Sequence, residues 1–299
     1  MRPPEEVLRR LELTVTRKLD GLLQGDHLGL LPGPGTEPAE ARPYQPGDDV
    51  RRMDWNVTAR TALPHVRDVV ADRELEVWVL LDATASMDFG TGLMEKRALA
   101  LAAVASVGFL TQRTGNRIGA HVLQSGAIRR LPARTGRPHL MALMRTIMTL
   151  PRDGVGVPRI GFAMDQLRRT VLRRGLVVVV SDFLDPPETW ETPLRHLGVR
   201  HQVLAVEVAD PRELTLPDVG VITLVDPETG RRQEIASGSA RLRARYAAAA
   251  EAQRGGIRAV IRRAGAAHLA LRTDRDWLRD LIQHILLQRR LARLAGGAG

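Results

Sequence analysis

The amino-acid sequence predicts an α/β fold in which a mostly parallel sheet is flanked by helices, with a small N-terminal subdomain of one helix and short strands. Two apolar runs, Val77–Leu81 and Leu176–Val180, have the composition of strands that are buried on both faces of a sheet. Helical patterns separate such runs, and strands that alternate with helices favour parallel pairing with right-handed crossovers. A length of 299 residues and a hydrophobic content of 44% allow a large buried core.

We predict that the N-terminal subdomain spans residues 1–73 and the α/β domain residues 74–299. Residues 4–23 carry apolar side chains at helical spacing, and residues 25–46 are rich in the turn formers Gly and Pro. Residues 43–70 are dense in charge and predict short strands and turns. In the α/β domain, strands are predicted at 74–82, 118–124, 176–181, 202–208 and 268–271. Helices are predicted at 93–114, 139–150, 160–174, 188–197, 239–264 and 274–294, and a hairpin at 219–225 and 231–235.

Composition and motif content exclude several enzyme classes. The chain has no cysteine, so disulfides, thiolate zinc sites and cysteine nucleophiles are excluded. Its eight histidines show no His-Glu-x-x-His spacing, and the sequence contains neither a Gly-x-Ser-x-Gly elbow nor a phosphate-binding loop. Asp82-Ala83-Thr84 lacks the second carboxylate that a phosphatase of the Asp-x-Asp-x-Thr kind needs as its acid and base. We therefore predict a protein that is not an enzyme and has no small-molecule substrate, and a Mg²⁺-dependent enzyme stays open as a less favoured alternative.

The sequence carries no pattern of export or membrane insertion. Residues 1–6 lack the apolar stretch of a signal peptide. The longest nearly apolar run, Ala98–Leu110, is too short to span a bilayer as a helix. We therefore expect no transmembrane segment and a cytoplasmic location.

The net charge of +10 is concentrated near the C-terminus. Residues 231–299 contain 15 Arg and 5 acidic residues, whereas residues 1–230 contain 29 of each sign. A basic region can attract nucleic acid, an anionic membrane surface or an acidic protein, and this Arg-rich region is the basis of an alternative function. Nucleic acid is disfavoured as a partner because the predicted Arg-rich helix at 239–264 has no aromatic residue for base stacking apart from Tyr246. Solvated helix faces produce the same pattern without any partner.

A candidate metal site follows the first predicted strand of the sheet. Asp82 ends this strand, and the hydroxyl residues Thr84 and Ser86 come next at alternate positions. In open α/β sheets, ligands bind outside the carboxyl ends of the strands. Carboxylate and hydroxyl oxygens are hard ligands that suit Mg²⁺ or Mn²⁺. The motif therefore predicts metal-dependent binding rather than a reaction.

Several segments resemble one known protein family. These segments are Arg42–Arg60, Asp82–Ser86, Ser181–Phe183, Asp210–Leu214, Leu216–Asp218 and Asp226–Gly230. Together they resemble the bacterial family known as domain of unknown function 58, which is related to von Willebrand factor type A domains. The similarity covers nearly the whole chain, and the Tyr44–Arg60 block is long and specific.

The resemblance implies a type A fold with a metal-ion-dependent adhesion site at the carboxyl end of its sheet. The residues of this sequence that correspond to the family's metal ligands are Asp82, Thr84 and Ser86, with Asp182 from a third loop. The family's second loop supplies a Thr, but here that loop reads Gly156-Val157-Pro158-Arg159-Ile160 and has no hydroxyl. Two interpretations stay open: a weakened Mg²⁺ or Mn²⁺ site, or a degenerate site held by hydrogen bonds. In the second, the Arg159 guanidinium could take the cation's place by pairing with Asp82 or Asp182.

The charged block between Tyr44 and Arg60 is a second candidate for binding. Its candidate partner-binding residues are Asp48, Arg51, Arg52, Asp54, Trp55 and Arg60. One interpretation is an ion-pair network with the tryptophan as its packing anchor. The other is a docking surface, because Arg and Trp are common at the centres of protein interfaces.

The resemblance also implies a type of partner. Members of this family are commonly encoded beside MoxR-type AAA+ ATPases and other type A proteins, and such pairs are thought to act as chaperones in the assembly or maturation of protein complexes. We therefore predict a non-enzymatic adaptor for a MoxR-type AAA+ ATPase. In a metal-dependent site of this kind, an Asp or Glu of the partner completes the coordination of the ion.

Overall fold

The computed structural model describes residues 4–20, 41–45, 50, 53–67, 76–113, 115–124, 127–152, 159–227 and 229–296. The chain divides into two compact units. One unit consists of residues 32–74, and the other combines residues 1–31 with residues 75–299.

A six-stranded sheet forms the centre of the larger unit. Its strands are β3 (Glu76–Asp82), β4 (Arg117–Gln124), β5 (Ala127–Arg134), β6 (Gly175–Ser181), β7 (Gln202–Ala209) and β10 (Ala267–Arg272). They lie in the order β10-β7-β6-β3-β4-β5, and β5 alone among them runs antiparallel to its neighbour. The register pairs Leu81 with Val180, so Asp82 and Asp182 leave adjacent strands at the same edge of the sheet.

Helices cover both faces of this sheet. One face packs against α1 (Pro4–Asp20), α3 (Lys96–Arg113), α4 (Arg137–Met148) and α9 (Trp277–Gly296). The other face packs against α5 (Ile160–Thr170), α6 (Pro187–Arg200) and α8 (Ala240–Arg263). Successive residues of β3 enter opposite cores, as strand geometry requires: Val79 and Leu81 join the first, Trp78 and Leu80 the second. The large unit also contains the short helix α7 (Pro211–Leu214) and the hairpin of β8 (Val221–Val225) and β9 (Arg232–Ala236).

Helix α1 belongs to the larger unit and not to the N-terminal subdomain in which the sequence analysis placed it. Its residues Leu8 and Val15 are buried in the same core as α3 and α4. Glu12 accepts two hydrogen bonds from the Arg137 guanidinium, each of 2.7 Å. The physical reason is that α3 is apolar around its circumference, so the face that points away from the sheet must also be covered. The apolar side chains on one face of α1 cover it.

The smaller unit contains β1 (Ala41–Pro43), α2 (Trp55–Thr61) and β2 (His65–Arg67) among its described residues. The two strands pair antiparallel, with Arg42 opposite Val66. Asp54 begins α2 as its N-cap, and its carboxylate accepts the backbone N–H groups of Asn56 and Val57.

The predicted fold class is confirmed, and the elements differ in detail. The hairpin around 226–230 forms as predicted, at β8 and β9. Strand β5 was missed because its sequence, Ala-Ile-Arg-Arg-Leu-Pro-Ala-Arg, has three arginines and a proline and lies at an exposed edge of the sheet. Helix α5 ends at Thr170 rather than at residue 174. Within the described part of the chain, no helix combines the length and the apolar character that crossing a bilayer requires.

Candidate functional site

The structure brings the four predicted ligand residues together at the carboxyl edge of the sheet. Asp82 ends β3, Thr84 precedes a single 3₁₀ turn at Ala85–Asp88, and Ser86 lies within that turn. The Thr84 and Ser86 hydroxyl oxygens are 3.3 Å apart. Asp182 follows β6 and is close enough to Asp82 for the two carboxylates to repel each other. The placement follows from the parallel pairing of β3 and β6.

Both carboxylate oxygens of Asp82 accept hydrogen bonds from this chain. Oδ1 accepts the Thr84 hydroxyl at 2.7 Å and the Thr84 backbone N–H at 3.1 Å. Oδ2 accepts the Ser181 hydroxyl at 2.7 Å. Burial and the nearby charge of Asp182 nevertheless raise the pKa of Asp82 to about 7. The Asp82 side chain is therefore held by neutral donors, with no cation paired to it among the described residues.

Asp182 is neutralised by a lysine from α3. The Nζ atom of Lys96 donates to Asp182 Oδ2 at 2.8 Å and also contacts Glu213 Oε1. Lys96 has 0% exposure. Burial alone would raise the pKa of Asp182, but the Lys96 ammonium outweighs it and holds that pKa below its ordinary value. The pKa of Lys96 is in turn raised, because the two carboxylates outweigh the cost of burial.

The ionic contacts continue from Lys96 to helix α8. Arg254 of α8 donates to Glu213 Oε2 at 2.8 Å, to Glu207 Oε1 at 3.0 Å and to the Asp182 carbonyl oxygen at 2.9 Å. The second oxygen of Glu207 lies 2.7 Å from His268 Nε2. These contacts join residues from α3, α7, α8, β7 and β10 in one buried network next to the candidate site.

The loop after β6 holds Asp182 in a constrained conformation. Phe183 has φ of 55°, in the left-handed region that residues with a Cβ rarely occupy. Its ring is buried against Trp190, with the ring centroids 5.2 Å apart. The backbone N–H of Phe183 donates to the Ser181 hydroxyl, and that of Leu184 donates to Asp182 Oδ1. Packing and hydrogen bonds thus fix the direction of the Asp182 carboxylate.

The cation beside Asp182 is Lys96 and not Arg159, which the sequence analysis considered for that place. Arg159 is exposed at the N-terminus of α5, where the nearby carboxylate is that of Asp185. Asp185 accepts the backbone N–H of Ile160 at 3.0 Å and so holds the start of α5 to the loop after β6. Pro158 and the rest of the predicted second loop lie outside the described residues.

The donor set does not fit a resident divalent ion well. Each oxygen of Asp82 already accepts a hydrogen bond, and Lys96 binds Asp182 in the position where positive charge is needed. The sequence offers no hydroxyl in the second loop to complete the set. Lys96 thus compensates the charge of Asp182, and hydroxyl and backbone N–H groups of this chain meet the hydrogen-bonding needs of Asp82.

The charged block of the smaller unit is only partly described. Asp54 is buried and caps α2, which is a structural role. Trp55 is 68% exposed, so it is not a packing anchor, and Arg60 is exposed as well. Asp48, Arg51 and Arg52 lie outside the described residues. The docking interpretation of this block stays a prediction.

Exposed apolar side chains lie on several of the segments at the carboxyl edge of the sheet. Leu93 is 77% exposed and Phe89 is also exposed, and both lie in the loop between β3 and α3. Phe162, on the first turn of α5, and Leu184, after β6, are exposed as well. Hydrogen bonds fix the first loop: Thr91 donates to Asp210, and the Leu93 backbone N–H donates to the Thr273 carbonyl.

Sequence reasoning missed Lys96, Glu213 and Arg254 as parts of this site. One signal for Lys96 was available. The chain has 44 basic residues, and Lys18 and Lys96 are its only lysines, so a lysine is an unusual choice here. Glu213 lies in Asp210–Leu214, one of the segments that carry the family resemblance, but nothing in that segment indicates a contact with Lys96. Arg254 has no comparable signal and reaches the site only through the packing of α8.

The sequence profile of a family described as "Protein of unknown function DUF58" matches residues 40–256. The chain belongs to this family. The uncharacterized protein Rv1480 of Mycobacterium tuberculosis is 54% identical over 290 residues, which are 97% of this chain and 90% of that protein. A relative in Mycobacterium bovis, the uncharacterized protein Mb1516, has the same identity and coverage.

Solved structures with a similar chain path have low sequence identity to this DUF58 protein. An aerotolerance-related membrane protein from Bacteroides fragilis is 13% identical with a TM-score of 0.48, and the match covers 71% of this chain and 99% of that one. BatB from Bacteroides thetaiotaomicron is 13% identical with a TM-score of 0.41, covering 72% and 99%. The SpRpn10 VWA domain is 10% identical with a TM-score of 0.40, covering 70% and 93%.

Proposed function

We propose that this protein is a non-enzymatic adaptor that binds a partner protein through the carboxyl edge of its sheet. The observation that carries this proposal is that segments at that edge carry exposed apolar side chains: Phe89, Leu93, Phe162 and Leu184. Contiguous exposed apolar surface is typical of protein interaction sites, and in this proposal the four side chains contribute to one such surface. In α/β folds the same edge is where ligands bind.

The buried polar cluster supports a binding role over a catalytic one. Asp82, Thr84 and Asp182 are buried beneath the edge, and their polar atoms bond to one another or to Lys96 and Ser181. A general base or nucleophile must reach a substrate atom, which these groups do not do. Their role in the proposal is to fix the loops that present the apolar side chains.

We propose a MoxR-type AAA+ ATPase as the partner, with other type A proteins as further components of a cytoplasmic complex. The support is membership of the DUF58 family, together with the partner that the family resemblance implies. In this proposal the adaptor assists the ATPase in the chaperone-like assembly or maturation of protein complexes. The ATPase would contact the loops that carry Leu93 and Leu184.

The test is a binding titration with the MoxR-type ATPase of the same genome, in the presence of Mg²⁺ and nucleotide. Leu93→Asp and Phe162→Asp place a charge on the proposed contact surface, and we expect each to weaken binding at least tenfold. Val199→Asp is the matched control, because Val199 is 78% exposed near the end of α6, at the opposite edge of the sheet. All three changes are at exposed sites and should leave the melting temperature within about 2 °C. Equal binding by the parent and all three variants would contradict the proposal.

The alternative function is nucleic-acid or anionic-membrane-surface binding through the Arg-rich C-terminal region. Several arginines of that region are engaged within the chain, which reduces the charge available to such a partner. These arginines are Arg243, Arg254, Arg258, Arg263 and Arg272. Elution from heparin resin at low salt would argue against this alternative, and retention at high salt would favour it.

A further inference from the structure

Lys96 is an unusual residue for the start of a buried helix. It is the first residue of α3, where the positive end of the helix dipole disfavours a cation. It is also fully buried, and a buried ammonium is costly unless it is paired and hydrogen-bonded. Neither helix formation nor packing explains the ammonium, so its reason must lie in the carboxylates that it contacts.

The contacts of Lys96 place one positive charge next to the residue that corresponds to the third-loop ligand of an adhesion site. Its Nζ atom lies 2.8 Å from Asp182 Oδ2, and its other carboxylate contact is Glu213. Lysine suits this place because its ammonium is a compact point charge on a flexible stem, whereas a guanidinium is planar and wide. The chain uses arginine for 42 of its 44 basic residues, but has a lysine here.

We propose that Lys96 supplies from within the chain the positive charge that a divalent cation supplies in metal-dependent adhesion sites, so that this site binds its partner without a metal ion. The part that concerns the partner rests on the function proposed above. Because Lys96 is buried, a carboxylate of the partner cannot reach its ammonium and complete a shared ion site. The partner is therefore recognised by apolar side chains that pack on Leu93 and Phe162, and not by an acidic residue.

The first experiment measures thermal unfolding of the whole chain with millimolar Mn²⁺ or with EDTA. We expect the melting temperature of the parent protein to be the same in both within about 1 °C. Lys96→Met leaves the Asp182 carboxylate without its cation, while Glu213 keeps Arg254, and should lower the melting temperature by roughly 5–15 °C. Arg152→Met is the matched control, because its pair with Glu95 is exposed, and it should cost no more than about 2 °C.

Two results separate a charge-supplying Lys96 from a merely well-packed one. In Lys96→Met/Asp182→Asn the unpaired carboxylate is removed, so we expect the double variant to melt above Lys96→Met. A double variant that melts at or below Lys96→Met would contradict the charge role. A parent protein that gains several degrees with Mn²⁺, while Asp82→Asn does not, would overturn the proposal.

A direct binding measurement covers the case in which Lys96→Met does not fold. Mn²⁺ is titrated into the parent protein and into Asp82→Asn, and free Mn²⁺ is followed by electron paramagnetic resonance. We expect no difference between the two proteins. One bound Mn²⁺ that the parent holds and Asp82→Asn does not would overturn the proposal without any destabilised variant.

The partner measurement distinguishes this inference from the proposed function. We expect the parent to bind the nucleotide-free ATPase equally well in EDTA and in millimolar Mn²⁺, and Leu93→Asp to lose binding in both. Binding by the parent that needs Mn²⁺ would overturn the metal-free site and leave the adaptor function intact. Retention of binding in Leu93→Asp and Phe162→Asp would overturn the adaptor surface itself.

Discussion

Removal of the Arg254 side chain tests the buried network beside the site most sharply. The Arg254 guanidinium is buried and donates to Glu207, Glu213 and the Asp182 carbonyl over 2.8–3.0 Å. In Arg254→Met these acceptors lose their shared donor while they stay buried. Breaking a buried ion pair by removing one partner costs about 3–5 kcal/mol. The free energy of unfolding should fall by that amount, and the melting temperature by roughly 6–15 °C.

Urea unfolding followed by circular dichroism measures this loss, and helix α8 provides its own control. Arg258 lies four residues after Arg254 and pairs with Glu251 at 2.6 Å, but both side chains are largely exposed. Arg258→Met should therefore cost no more than about 1 kcal/mol. Adding Glu207→Gln to Arg254→Met removes one stranded carboxylate and should recover part of the loss. Equal destabilisation by Arg254→Met and Arg258→Met would refute the view that the buried network holds α8 to the site.

Two further predictions concern stability away from this network. Burial, with a smaller effect of Arg130, lowers the pKa of His121 from 6.5 to about 4, so the unfolded chain takes up this proton first and stability is lost as pH falls from about 6.5 towards 4. Between pH 7 and pH 5 the free energy of unfolding of the parent should fall by about 2 kcal/mol more than that of His121→Phe. Urea unfolding at both pH values measures the difference, and an equal fall in the two proteins would exclude His121 as the cause. A Cβ at Gly161 would collide with the Thr189 carbonyl where α5 meets α6, so Gly161→Ala should cost about 1–3 kcal/mol by the same assay. A Cβ at Gly256 on α8 would have no atom within 4 Å, so Gly256→Ala should raise the free energy of unfolding by about 0.5–1 kcal/mol. A destabilisation by Gly256→Ala as large as that by Gly161→Ala would contradict the steric explanation.

The fold was predictable because its central strands are apolar on both faces. Strands β3, β6 and β7 are buried along nearly their whole length, and such runs stand out against the polar segments around them. Strand β5 has one buried residue, Ala133, so its sequence resembles a loop. The place of α1 was not predictable from its own stripe, because an amphipathic helix does not reveal which surface it covers.

The candidate site was predictable in position but not in charge. Asp82 ends β3 and Asp182 directly follows β6, and the parallel pairing of these neighbouring strands brings the two residues together. Lys96 comes from the helix after the Asp82 loop, and Glu213 from a short helix more than one hundred residues later. Their contacts depend on how α3 and α7 pack over the strand ends, which hydrophobic periodicity does not encode. The sequence could therefore suggest a metal ligand set without showing the lysine beside it.

Hydrogen–deuterium exchange of the parent protein, with and without the MoxR-type ATPase, tests the central claim most directly because it maps the contact surface with no substitution. We expect slower exchange in the partner's presence at residues 89–95, 160–163 and 183–185, with the helix ends near Val199 unchanged. Protection confined to the helix ends near Val199, to residues 53–67 or to the C-terminal helices would contradict the claim that the carboxyl edge of the sheet is the binding surface.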